Sequence, residues 1–285
     1  MVKKKVVVKY ANAFNNIQFT DFSASELDVF MLICGKVRAE NAELFTFSFG
    51  ELKKLLGIGD LNNSYFLRLF NSVGDKLSQL NYTYCDDTMI ERAVLFPTFR
   101  AYIHDTLSDV FGEVKACTVI VRINPDCRKI FVDFSKQFTK FELQEFISLK
   151  SKYSKNLYRL LKQWRLNGRT ETYTVEKLKA LLDYTASQTM DNKYFMRNTV
   201  VPAVEELTQR GCFSDLKAEV VRDQNRRGRP VTGYYFTFTK EVPQKKEPQQ
   251  KTTAPRAWKT KSNKFNNFSQ RDYNYDDIES YMCTH

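Results

Sequence analysis

One order of hydrophobic patterns occurs twice along this chain, and that repeat constrains the fold more than any single motif. After Ser23 or Ser25, either of which suits an N-cap, the run ELDVFMLICGKV puts Leu27, Phe30, Met31, Cys34 and Val37 on one helical stripe. A β-rich piece, FTFS at 45–48, leads into FGELKKLLGIGD, whose Leu52, Leu55 and Leu56 predict a short second helix ended by Gly57 and Gly59. From Asn62, Phe66, Leu69, Phe70, Val73, Leu77 and Leu80 recur at helical spacing and predict a third. Between Tyr82 and Phe134 the residues turn β-branched and aromatic, with breakers at Pro97 and Asn124-Pro125, and KACTVIVRI alternates as half-buried strands do.

The same order then returns. In SKYSKNLYRLLKQW, Tyr153, Leu157, Leu160, Leu161 and Trp164 share one face, and Gly168 closes the helix. Thr174 caps a short helix through Val175, Leu178, Leu181 and Leu182. After a polar turn at 183–192, a third helix points Met196, Val200, Val204 and Leu207 inward and stops at Gly211. KAEVV, the turn RDQNRRGRP and VTGYYFTFT then form a two-stranded hairpin with a basic tip. Three helices followed by strands is the element order of a winged helix. The fold class expected is therefore α+β, with tandem winged-helix domains at 1–140 and 141–240.

From about Glu241 the chain is rich in Lys, Gln, Thr and Pro and poor in aliphatic residues, so it lacks the apolar surface to order itself. Residues 241–285 are expected to be a flexible linker followed by an aromatic stretch, NKFNNFSQRDYNYDDIESYM, that orders on a partner.

Charge separates the two domains. Residues 1–142 carry 18 basic and 17 acidic side chains, 143–240 carry 18 and 10, and 241–285 carry 8 and 6. An excess confined to one folded segment is the footprint of a polyanion, which makes the second domain the main candidate for DNA contact. The three apolar residues after the N-terminal lysines are too few for a signal peptide, and no stretch reaches the length of a membrane span. Six cysteines without a C-x-x-C pair read as reduced packing residues of a cytoplasmic protein.

Catalytic chemistry finds little support. His104 and His285 cannot form the His-hydrophobe-His pair of metal-dependent nickases, and no G-x-x-x-x-G-K-[ST] loop is present. No metal or cofactor is expected, and the chain reads as a non-enzyme. The acidic doublets Asp86-Asp87, Glu205-Glu206 and Asp276-Asp277 read as solvated faces and turns.

The basic residues form a more specific pattern. Lys193, Arg197, Asn198 and Val201 fall outside the inward stripe of the third helix of the second domain, near its start. Arg and Asn there suit bidentate contacts to guanine and adenine, although the solvent face of any amphipathic helix would look similar. Pro202, inside the same helix, predicts a kink or a restart. Arg222, Arg226, Arg227 and Arg229 crowd the hairpin, where they would repel one another unless they met anion. Lys152, Ser154 and Lys155, at a helix N-terminus, suit phosphate or ordinary solvation equally.

The segments VVVKYANAF, SLKSKYSKNLYRLLKQWRLNGR, YTVEKLKALL, VVPAVEELTQ and RRGRPVTGYYFTF, in this order, resemble the Rep initiators of iteron-containing theta-replicating plasmids. The resemblance covers roughly residues 5–240 and is most specific in the second domain. It implies two winged-helix domains, binding to direct repeats in double-stranded origin DNA, homodimer and monomer forms, and binding by the dimer to an inverted repeat that represses its own gene. It also implies a first domain that carries the dimer interface and secondary DNA contacts, for which Asn62, Asn63 and Arg68 are the candidates. NKFNNFSQRDY looks like a C-terminal motif of Rep and primosome proteins of Gram-positive bacteria, which implies a host helicase or primosome partner. The competing readings are a winged-helix repressor without a replication role, a nicking enzyme and a primosomal adaptor.

Overall fold

Val8 and Tyr10 alternate inward near the chain start and are fully buried in strand β1 (Val7–Ala11). This strand pairs antiparallel with β7 (Phe138–Glu142), 130 residues later, in the register Val7 to Glu142. The computed structural model describes residues 6–40, 43–57, 62–85, 88, 90–104, 116–131, 137–185 and 192–241. The expected linker and aromatic motif beyond 241 lie outside the described residues, as do Asp86, Asp87, Asp276 and Asp277.

Between β1 and β7 lies the first winged helix. Helix α1 (Ala24–Glu40) starts with a capping box that selects Ser23 as its cap: the Glu26 amide donates to Ser23 Oγ, and the Ser23 amide donates to Glu26 Oε2. Glu26 also accepts from Ser72 and Lys76 of α3 (Asn63–Gln79), so the cap pins two helices together. Burial pushes the Glu26 carboxyl up, but the hydrogen bonds from Lys76, Ser72 and Ser23 outweigh it and hold it at about 2. Strand β2 (Leu44–Ser48) runs into α2 (Phe49–Leu56), capped by Ser48 and ended, as expected, by Gly57 in the left-handed region. Beyond α3 come the hairpin β3 (Asn81–Cys85) and β4 (Ile90–Val94), then β5 (Thr98–His104) and β6 (Ala116–Arg122), in a sheet of order β2-β6-β5. The core is aromatic. Phe14 alone meets the rings of Tyr10, Phe19, Phe30 and Phe131.

Beyond β7 the plan repeats. After the single turn α4 (Leu143–Ile147) come α5 (Lys152–Gln163), β8 (Tyr173–Thr174), α6 (Val175–Leu181), α7 (Asn192–Phe195), α8 (Val201–Gln209), β9 (Lys217–Arg222) and β10 (Val231–Thr237). Thr174 caps α6 as expected, accepting from the Lys177 amide. The expected two-stranded hairpin is corrected to a three-stranded sheet, β8-β10-β9. At two residues, β8 is too short to show a period of its own. Its trace is Gly233, where a Cβ would sit 2.4 Å from the Tyr173 carbonyl oxygen.

Helix α5 lies in the seam between the two domains, and every residue from Ser154 to Lys162 is buried. Its apolar stripe was legible, but the polar side is buried as well. The Arg159 guanidinium donates to the main-chain oxygens of Asn15 (3.2 Å) and Ile17 (2.8 Å) and lies over the Phe19 ring. Lys155 pairs with Asp28 of α1 and donates to the Phe146 carbonyl. Burial pushes Asp28 up to about 7 against the attraction of that ammonium, and burial lowers Lys155 in turn. Lys152 pairs with Asp183, whose carboxylate also accepts from the Asp21 amide.

Breaking a buried pair from one side leaves an uncompensated charge, whereas replacing both partners with apolar residues removes it. Lys155→Met alone is therefore expected to destabilise the chain by about 3–5 kcal/mol, and Asp28→Leu with Lys155→Met to recover most of that loss. Urea unfolding of the two variants checks this; equal losses would mean that the cost lies in packing and not in the pair.

Candidate nucleic-acid interface

The third helix of the second domain is not one uniform α-helix. Between α7 and α8, Met196–Val200 form a π-turn, in which the Val201 amide donates to the Met196 carbonyl five residues back. Pro202 explains its place. Proline has no N–H for the carbonyl of residue 198, and its ring would clash with that carbonyl in a regular helix, so a widened turn just before it relieves both problems. The helix neither breaks nor starts afresh, since Phe195, Val200 and Val201 all keep right-handed helical dihedrals.

The inserted residue moves the buried line. Phe195, Thr199, Val200, Ala203 and Leu207 are buried, while Met196 and Val204, expected to point fully inward, are half-buried. Lys193, Arg197, Asn198 and Val201 are exposed as expected, and Tyr194 joins them. Sequence reasoning missed Tyr194, although it lies three and four residues before Arg197 and Asn198. The face is held against the sheet by the Phe195 ring, 6.2 Å from the Tyr234 ring of β10.

The wing is the β9–β10 hairpin. Its tip closes through the Asp223 amide on the Pro230 carbonyl and the Arg229 amide on the Arg226 carbonyl. Gly228 and Arg229 both have positive φ, 81° and 43°. Arg222, Arg226, Arg227 and Arg229 are all exposed. Asp223 approaches Arg226 at 3.5 Å, and Arg222 donates to the Arg229 carbonyl at 3.2 Å. On the same sheet Arg169, also missed, lies over the Tyr235 ring at 4.4 Å.

The expected phosphate clamps at the start of α5 need correction. Ser154 and Lys155 are fully buried, and Lys152 is spent on Asp183. The anion that a helix N-terminus attracts is supplied from within, by Glu206 of α8. It accepts from the Lys150 amide (2.6 Å), the Ser151 amide (3.3 Å) and Ser154 Oγ (2.5 Å). Burial pushes its carboxyl up, but these hydrogen bonds outweigh that and lower it. The reading of Glu205-Glu206 as a solvated doublet holds for exposed Glu205 and fails for Glu206, which fastens α8 to α5.

In the first domain, Asn62 caps α3 by accepting from the Ser64 amide, which gives it a structural task. Asn63 is half-buried and Arg68 exposed. Among the described residues no three His, Cys, Asp or Glu side chains converge as a metal site requires, and no helix is long and apolar enough to cross a membrane. Cys34, Cys127 and Cys212 are buried and not in disulfides.

This arrangement has relatives. Residues 7–162 match the family described as "Initiator Replication protein, WH1", and residues 174–238 match "Initiator Rep protein, WH2". The first match runs through α5, the helix in the seam. A probable replication protein rep of Bifidobacterium longum (strain NCC 2705) is 32% identical over 238 residues, 83% of this chain and 74% of that one. Among solved structures, the Pi initiator protein in its crystal complex with iteron DNA has a TM-score of 0.61 at 17% identity, covering 84% of this chain and 99% of that one, a likeness that speaks for the fold. Matched across both halves, with both halves folded as the match requires, the chain belongs to the initiator replication protein family and is built of its two winged-helix domains, WH1 and WH2.

Proposed function

We propose that this chain initiates plasmid replication by binding direct repeats in double-stranded origin DNA, chiefly through its second domain. The observation that carries this reading is the exposure of Lys193, Arg197 and Asn198 on one helix and of four arginines on the adjoining wing, all in the segment that holds the charge excess. A non-glycine residue in the left-handed region costs roughly 1–2 kcal/mol, so backbone preference does not favour arginine at position 229. Contact with phosphate or the minor groove supplies the missing reason. Arg197 and Asn198 face outward where a recognition helix meets base edges.

Finer parts of the reading rest on the family resemblance. The first domain would carry a dimer interface and secondary DNA contacts, with Arg68 the exposed candidate beside Asn62 and Asn63. The dimer would repress its own gene through the same helix and wing, and residues beyond 241 would recruit a host helicase or primosome protein. The role is one of binding in the cytoplasm, without bond-making chemistry. Footprinting on the DNA upstream of its own gene tests the whole. Protection of tandem repeats is expected; protection of a lone operator with no repeat array would make the protein a repressor and overturn the initiator reading.

Changing Arg226, Arg227 and Arg229 together to alanine is expected to weaken binding to cognate and scrambled DNA alike. Each lost phosphate contact removes about 0.9 from the slope of log affinity against log salt, so the slope should flatten by roughly 2–3. Binding titrations at several salt concentrations measure it.

Arg197→Ala or Asn198→Ala is expected to cost about 1–3 kcal/mol on the cognate repeat and little on scrambled DNA. Equal losses on both would move base reading away from this helix.

Deleting residues 241–285 is expected to spare DNA affinity and to impair replication. A deletion protein that maintains its plasmid normally refutes the recruiting role.

A further inference from the structure

Val201 stands at the centre of the exposed face just described, and the proposed function as it stands gives it nothing to do. It is 41% exposed, one helical turn beyond Arg197 and Asn198, with exposed Pro202 beside it and exposed Glu205 one turn further on. A β-branched side chain on the solvent side of a helix is favoured neither by helix propensity nor by burial. With Pro202 beside it, it forms a small apolar spot on a face otherwise made of Lys193, Tyr194, Arg197, Asn198 and Glu205. The π-turn ends on it, since its own amide makes the five-residue hydrogen bond to Met196, so its position is fixed by the same device that accommodates Pro202.

The major-groove edges of the four base pairs offer hydrogen-bond donors and acceptors with one apolar exception, the 5-methyl group of thymine. We infer that Val201 reads a thymine 5-methyl group in each repeat, next to the bases contacted by Arg197 and Asn198. The inference rests on the proposed function and deepens it: the recognition helix would select a T·A pair by apolar contact beside one or two pairs chosen by hydrogen bonding. Charge argues for DNA over a protein as the occupant. The apolar spot is small, and the cations Lys193 and Arg197 share its helix, with the four arginines of the wing on the same domain.

The probe is a synthetic duplex of the repeat protected in the footprint, with each thymine in turn replaced by deoxyuridine, which removes the methyl group and leaves every hydrogen-bonding atom in place. At one position the wild-type protein is expected to bind about fourfold more weakly, the effect of losing one buried methyl group. Val201→Ala should bind the thymine duplex more weakly by a similar factor and should no longer distinguish it from the deoxyuridine duplex at that position. Indifference of the wild-type protein to every substitution overturns the inference, and this arm needs no variant to fold. A Val201→Ala protein that keeps the full sensitivity also overturns it, assigning the methyl contact to another residue. If the wild-type protein prefers the repeat over a scrambled duplex and yet ignores every methyl, only the inference fails. If it shows no preference for the repeat at all, the proposed function fails with it.

Discussion

The Arg159 guanidinium sits with no solvent exposure between two domains, and the rest of the architecture is arranged so that it can. A buried cation is costly unless its donors are met, and here two main-chain oxygens from the segment after β1, the Asn156 side chain and the face of Phe19 meet them. Burial still pulls its pKa down to about 10, which leaves it charged at neutral pH. Because its acceptors belong to the first domain and its backbone to α5, the two cannot separate without stranding it. Lys155 on Asp28 repeats the same logic one turn away, and Lys152, two turns away, pairs with Asp183, whose carboxylate accepts from the Asp21 amide of the first domain.

From this seam the constraint passes to the helix that carries Arg197 and Asn198. Glu206 of α8 satisfies the amides of Lys150 and Ser151 and the hydroxyl of Ser154, so α8 is tied to the N-terminal end of the helix that Arg159 anchors. The face carrying Arg197, Asn198 and Val201 thus takes its orientation from contacts that begin in the first domain. Positive charge is divided accordingly. Cations on α5 are consumed inside the protein, while those of the wing and of α7 face outward, where among the described residues the carboxylate paired with a wing arginine is Asp223 on Arg226.

Much of the fold was legible because hydrophobic period survives tertiary packing: the helical stripe from Leu27 to Val37 is buried as its spacing requires, as is that from Phe66 to Leu77 apart from half-buried Leu69. The wing was legible because Gly228 and four arginines are a local signal. Three features were not, each for a physical reason. The two-residue β8 has no period to detect. The polar flank of α5 looks like solvent face because a sequence shows which side chains are charged but not that Asn15, Ile17, Asp28 and Glu206 will meet them. The strand pair β1 and β7 depends on a contact across most of the first domain, although the inward alternation of Val8 and Tyr10 was a usable signal.

The π-turn shows how a single residue can set which side of a helix is buried. In a uniform helix the line Met196, Val200, Val204 and Leu207 would lie innermost, as its spacing suggests. Pro202 makes that geometry unfavourable, because it removes a donor and crowds the carbonyl of residue 198. Adding one residue to the turn before it leaves Val200 and Leu207 buried, brings in Phe195 and Thr199 on one side and Ala203 on the other, and relaxes Met196 and Val204 to the margin. The outward face keeps its helical spacing through this adjustment: Tyr194 before the turn, Arg197 within it and Val201 at its end, three and seven residues on, share a surface. A proline that reads in the sequence as a helix breaker therefore acts in the structure as a phase shift of the buried line within a continuous helix.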